Sequence, residues 1–178
     1  MRSGSAEPLV IATRGSPLAL WQAHEIQRAL AALGHEARLR LITTTGDRVL
    51  DRPLQKVGGK GLFLKEIEQA LLVGEADLAV HSLKDMPMEL PPGLTIAAVL
   101  RRGDPRDALV AQDGRGLAAI PSGARIGTSS LRRAMMIHRM RPDLQIAFLR
   151  GNVEGRLAKL DQGEFAGIVQ ASAGLQRL

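Results

Sequence analysis

Short apolar runs alternate with longer segments of helical spacing along almost the whole chain, and this alternation limits the fold more than any other feature. Leu9 to Thr13 reads as a buried strand. Ser16-Pro17 then opens a helix, with Ser as cap and Pro at the first helical position. Leu18, Trp21, Ile26, Leu30 and Leu33 continue it until Gly34 stops it. Leu39–Thr43 is the next expected strand. A helix over Phe63–Val73 ends at Gly74 and precedes a strand at Ala76–Val80. Pro87, Pro91 and Pro92 mark a loop, and Leu94–Leu100 is again strand-like. The pattern breaks at Arg101–Arg106 (RRGDPR), where a hinge is expected. It resumes with strands at Asp107–Ala111, Arg125–Gly127, Gln145–Leu149 and Gly167–Gln170, and helices at Ser130–Arg141 and Val153–Leu160. Strand–helix alternation predicts an α/β fold: two lobes with mostly parallel sheets flanked by helices, resembling the clamps of periplasmic binding proteins. The expected organisation is a flexible arm at 1–8, one α/β domain at 9–102 and a second at 103–178.

Composition excludes several classes of chemistry. A chain of 178 residues, 45% apolar, is long enough for a real core and does not read as disordered. It has no apolar run of the ~20 residues needed to span a bilayer. Met1 to Pro8 has no apolar core of a secretory signal. With no cysteine, disulfides, thiolate metal sites and Cys nucleophiles are excluded. His24, His35, His81 and His138 show no metal-ligand spacing. A net charge of +6 raises nucleic-acid binding, but only Trp21, Phe63, Phe148 and Phe165 could stack on bases. The cations are mostly arginine, 19 against 5 lysines. Forked guanidinium groups suit carboxylate or phosphate recognition with defined geometry.

Four segments join a strand's carboxyl end to the following helix, where open α/β sheets bind ligands. They are Thr13-Arg14-Gly15-Ser16, His81-Ser82-Leu83-Lys84-Asp85, Gly127-Thr128-Ser129-Ser130-Leu131-Arg132-Arg133, and Leu149-Arg150-Gly151-Asn152 with Arg156 one turn on. Taken singly, each hydroxyl reads as an ordinary helix cap, and Lys84-Asp85 as a surface pair. Together they predict a cleft for an anionic ligand. The polar stretch from Thr44 to Gly61 is long for a loop without a role. Within it, Lys56-Val57-Gly58-Gly59-Lys60-Gly61 fails the spacing of an ATP-binding phosphate loop and fits a basic lid better.

ATRGSPLALWQA (Ala12–Ala23), KVGGKGLFLKEIE (Lys56–Glu68), ADLAVHSLKDMP (Ala76–Pro87), DPRDA (Asp104–Ala108), IGTSSLRR (Ile126–Arg133) and LRGNVEGRLAKLDQGEF (Leu149–Phe165) resemble, in order and spacing, the porphobilinogen deaminase (hydroxymethylbilane synthase) family. The resemblance runs from about Leu9 to Leu178. It implies a cytoplasmic, monomeric transferase of tetrapyrrole and haem biosynthesis, without nucleic-acid or membrane partner. Such an enzyme condenses four porphobilinogens head to tail, with release of ammonia, on a dipyrromethane cofactor. Arg14, Ser16, Lys84, Thr128, Ser129, Arg132, Arg133, Arg150 and Arg156 would hold the acetate and propionate groups. Asp85 would be the catalytic carboxylate, and Lys56, Lys60 and Phe63 would belong to a mobile loop.

One departure stands out. The family attaches dipyrromethane through a cysteine of a third domain, and this chain has no cysteine and ends at Leu178. The expectation is therefore a truncated or divergent short chain, inactive alone. A non-catalytic module binding a small carboxylated ligand is the alternative.

Overall fold

The computed structural model describes residues 7–48 and 61–178. Most of the arm at 1–8, most of the stretch at 44–61, Lys56 and Lys60 lie outside the described residues. The chain divides into two compact units, Met1–Leu100 and Arg101–Leu178.

In the first unit, β1 (Leu9–Thr13) is followed by α1 (Pro17–Ala32) and β2 (Ala37–Leu41). A helical turn α2 (Thr45–Arg48), α3 (Lys65–Leu72) and a short β3 (Leu78–Ala79) complete it. The sheet order is β2-β1-β3, all parallel. Parallel neighbours need a crossover, and α1 and α3 supply it. Both faces of β1 are covered, as parallel strands require. Ala12 packs with Ile67 of α3 and with Ala76, and Ile11, pointing the other way, is equally buried.

The strand expected at Leu39–Thr43 begins and ends two residues earlier, because the ladder pairs Ala37 with Leu9 and Leu41 with Thr13. Leu94–Leu100 forms no strand. Its apolar pattern is present, but no neighbour among the described residues supplies a hydrogen-bonded ladder, and Ile96, Val99 and Leu100 are exposed. Thr45–Arg48 turns helically inside what reads as loop.

The second unit contains β4 (Asp107–Ala111), β5 (Arg125–Gly127), α4 (Leu131–Met140), β6 (Gln145–Ala147), α5 (Val153–Asp161), β7 (Gly167–Ala171) and α6 (Ser172–Gln176). The order is β4-β7-β5-β6, with β4 antiparallel to β7 and the other pairs parallel. β7 is buried on both faces. Val169 joins Ile120, Ile126, Ile137 and Leu144, while Ile168 joins Leu149, Leu160 and Phe165. Arg141, just beyond α4, gathers the carbonyls of Leu117 and Ile120 at 2.7 and 2.9 Å and so fastens the β4–β5 connection.

Gly127 marks the tightest approach in this core. A Cβ there would lie 2.9 Å from both Leu149 Cδ2 and Phe165 Cδ1. Gly127→Ala should cost about 1–3 kcal/mol, the usual range for overpacking. Gly116→Ala should be close to neutral, since Gly116 has an ordinary φ of −71° and nothing within 4 Å. Urea denaturation of the two variants tests this; equal midpoints would refute the packing account.

Candidate functional site

Parallel order places the ends of β1, β2 and β3 on one edge of the first sheet. The segment after β1 carries Arg14, whose Nε donates to Asp47 Oδ1 and Oδ2 at 2.9 and 3.2 Å while Nη2 also bonds Oδ1. Asp47 follows β2 and accepts further bonds from Thr44 N (3.1 Å) and Thr44 Oγ1 (2.7 Å). Burial pushes the Asp47 carboxyl up, but the bonds from Arg14 and Thr44 outweigh it and hold the group below its ordinary value. Phe63 lies under the Arg14 guanidinium, 4.2 Å from ring centroid to Cζ. The ring reaches this position only because residue 46 is glycine; a Cβ there would sit 2.3 Å from the ring.

Ser16 occupies the position before α1, and its carbonyl accepts from Leu20 N at 2.9 Å. Its side chain makes no cap bond, which corrects the expectation of a capping hydroxyl. After β3, Leu83–Asp85 forms one 3-10 turn. Gln22 of α1 donates from Nε2 to Ser82 Oγ at 2.9 Å and ties this turn to α1. Lys84 and Asp85 are exposed, and neither side chain makes a hydrogen bond or ion pair among the described residues. His81 is pushed down by burial, up by Asp85 and down again by Arg14, with a net lowering that favours the neutral ring. The imidazole thus feels both charges, so the Arg14 and Asp85 segments share this edge.

In the second unit, the ends of β5, β6 and β7 lie together, and the reversed β4 brings its first residue, Asp107, to the same edge opposite Ala171. Thr128 is buried and accepts from Ser130 N at 3.2 Å; Ser129 is exposed. Ser130 caps α4 through Arg133 N. The adjacent arginines then separate. Arg133 is 14% exposed, with Nε on Asp107 Oδ1 (2.9 Å) and Nη1 on the Val169 carbonyl (3.2 Å). Arg132 is 61% exposed and holds Asp107 Oδ2 by one nitrogen at 2.7 Å. The bond from Arg132 and the charge of Arg133 hold Asp107 low against the effect of burial.

Arg150 is half-buried and is followed by Gly151 at φ 121°, a backbone shape that side chains disfavour. Asn152 then caps α5 by accepting from Gly155 N at 2.8 Å. Arg156 donates from Nη1 to Gln170 Oε1 at 3.2 Å. Its Nε is buried without an acceptor, as is Gln170 Nε2. Burial lowers the Arg156 pKa, as do the charges of Arg133 and Arg150. Asp47, Asp107, Gln22 and Gln170 were not singled out by the sequence. Gln170 had one signal, a lone polar residue in the run Gly167–Ala171. Among the described residues no group of acidic, His or Cys side chains could hold a metal, and no helix is long and apolar enough to cross a membrane.

The Asp47 pair yields a pH prediction. Its folded-state value lies below the unfolded value of about 3.9. Its contribution is therefore full above that range and lost as pH falls through the folded value. Asp47→Asn should lower stability at pH 7 by about 1–2 kcal/mol, reduced by partial exposure. The gap between the two thermal midpoints should narrow as pH falls below about 4, the unfolded value; a constant gap would refute this.

A family model described as "Porphobilinogen deaminase, dipyromethane cofactor binding domain" matches residues 9–178. The porphobilinogen deaminase of Albidiferax ferrireducens is 59% identical over 170 residues, which is 96% of this chain and 54% of that protein. That of Syntrophotalea carbinolica is 59% identical over 177 residues, 98% of this chain and 56% of that protein. That of Methylobacillus flagellatus is 55% identical over 172 residues, 96% of this chain and 56% of that protein. The chain spans about half the length of the curated relatives it matches. Among solved structures, an ancestral arginine-binding protein bound to arginine aligns with 97% of this chain and 74% of that chain, at 14% identity and TM-score 0.44. With the match reaching from the first strand through the last helix, the chain belongs to the porphobilinogen deaminase family.

Proposed function

We propose that this chain carries the substrate-handling residues of a hydroxymethylbilane synthase, a monomeric cytoplasmic enzyme without nucleic-acid partner. It would join four porphobilinogens head to tail, releasing one ammonia per addition. Family membership supports the reaction class. The observation that carries the residue assignment is the set of arginines at the strand ends, Arg14, Arg132, Arg133, Arg150 and Arg156, in a chain whose substrate bears acetate and propionate groups.

Dipyrromethane, when bound, supplies the primer from which the pyrrole chain grows. The residues present fit its carboxylates: Arg156 Nε and Gln170 Nε2 are buried donors without acceptors, beside the Arg133 and Arg150 charges. The sequence has no cysteine thiol to form a thioether link.

In this reading Arg132, Arg133, Arg150 and Arg156 bind substrate and product carboxylates in the second unit, with hydroxyls from Thr128 and Ser129. Arg14, Ser16 and Lys84 do so in the first, where Phe63 braces the Arg14 guanidinium. Asp85 faces the pyrrole that reacts. As the C–N bond of porphobilinogen breaks, its electron pair leaves with ammonia and positive charge spreads over the ring. A fixed carboxylate stabilises that charge. When the new C–C bond forms, the displaced ring proton passes to Asp85.

Two predictions follow from these roles. Asp85→Ala, made at the equivalent position of the Albidiferax ferrireducens relative, should reduce turnover by more than about 100-fold while moving the thermal midpoint little. Parallel loss of stability and activity would make Asp85 structural. In this chain, Arg132→Leu should weaken porphobilinogen binding by about ten- to a hundredfold, the equivalent of one charge-assisted forked contact, with stability kept. Arg133→Leu should lower stability as well, since it breaks the bonds to Asp107 and Val169. Calorimetric titration with urea melts separates the two; unchanged affinity in both variants would overturn the carboxylate reading.

A further inference from the structure

We propose that Gln170 sets the anion affinity of Arg156 by holding its guanidinium in place without cancelling its charge. The inference rests on the reading of Arg156 as a carboxylate-binding residue. β7 is an inner strand, between β4 and β5. Successive strand residues face opposite sides, so Gln170 shares the face of Ile168. That face is covered by α5, which carries Leu160 and Arg156. Gln170 is only 3% exposed, in a position where an apolar residue would complete the packing.

The contrast with the other arginines gives the amide its meaning. Arg14 is held by the Asp47 carboxylate, and Arg132 and Arg133 by that of Asp107. A ligand carboxylate at those arginines shares its cation with an internal anion. Arg156 is held instead by a neutral oxygen at 3.2 Å. Only the amide oxygen can accept from a guanidinium, so the orientation of Gln170 follows from chemistry. Its Nε2 is then a second buried donor without an acceptor, alongside Arg156 Nε. A buried cation near two others, with spare donors and no anion bonded to it among the described residues, is costly until a negative ligand arrives. Burial and the Arg133 and Arg150 charges act on Arg156 in the same sense, disfavouring its charged form until then.

Glutamate has nearly the shape of glutamine and would satisfy Arg156 internally. Gln170→Glu should therefore raise the thermal midpoint of the ligand-free chain while weakening porphobilinogen binding by at least about tenfold. Gln170→Leu, which keeps the site neutral but leaves Arg156 unheld, should weaken binding by about three- to tenfold. Arg156→Gln should weaken it by at least about tenfold. Titration calorimetry of the four chains with porphobilinogen, with thermal melts without ligand, reads all of these. A structural glutamine alone gives a different pattern, with midpoint lowered and affinity unchanged in both position-170 variants. Wild-type affinity in Gln170→Glu or, if that chain does not fold, in Gln170→Leu overturns this inference while the loss in Arg156→Gln keeps the site. Unchanged binding in Arg156→Gln overturns the site reading and this inference with it.

Discussion

Parallel strand pairing is the constraint from which the rest of each unit follows. Each parallel neighbour demands a crossover, each crossover here is helical, and each return delivers a strand's end and a connecting segment to the same edge. The edge of the first sheet thereby collects Arg14, Asp47, His81 and Asp85 from segments far apart in the sequence. The edge of the second collects Thr128, Arg150 and the start of α4. Neither collection needs a dedicated scaffold. The packing that buries Ile11, Ile126 and Ile168 fixes strands whose ends carry the polar groups.

Electrostatic compensation at these edges takes different forms. Arg14 and Asp47 form a closed pair, with Thr44 filling the remaining acceptor capacity. Asp107 is divided between an arginine locked into the sheet edge and one that reaches solvent. Arg156 has only a neutral partner among the bonds described above. Paired cations are rigid and already placed, which lowers the ordering cost of binding, whereas an unneutralised cation contributes more attraction per contact. The second unit carries both kinds, the paired Arg132 and Arg133 and the neutrally held Arg156.

Much of this was legible in the sequence, and the reasons differ by feature. Strands such as Leu9–Thr13 and Asp107–Ala111 fall where the apolar runs put them, because burial on both faces leaves a continuous signature. The Arg14, Asp85 and Arg132 segments were visible as polar residues between a strand and a helix. The partners were not. Asp47 lies in a polar stretch where one carboxylate looks like any other, and its bond to Arg14 depends on a turn absent from the local pattern. Asp107 reads simply as the first residue of a strand. Only the reversal of β4 against β7, a tertiary choice, carries it to Arg132 and Arg133. Leu94–Leu100 failed the other way: its pattern is strand-like, but a strand exists only where another offers a ladder.

The reversal of β4 also has a mechanical consequence. Asp107 is the first residue of the first strand in its unit, and it is bonded in the ladder to β7 and through its side chain to α4. The backbone just before it is anchored as well, since the Arg106 carbonyl accepts from Ser172 N at 3.0 Å. Any shift of β4 along β7 is thus also a change in the aim of Arg132 and Arg133.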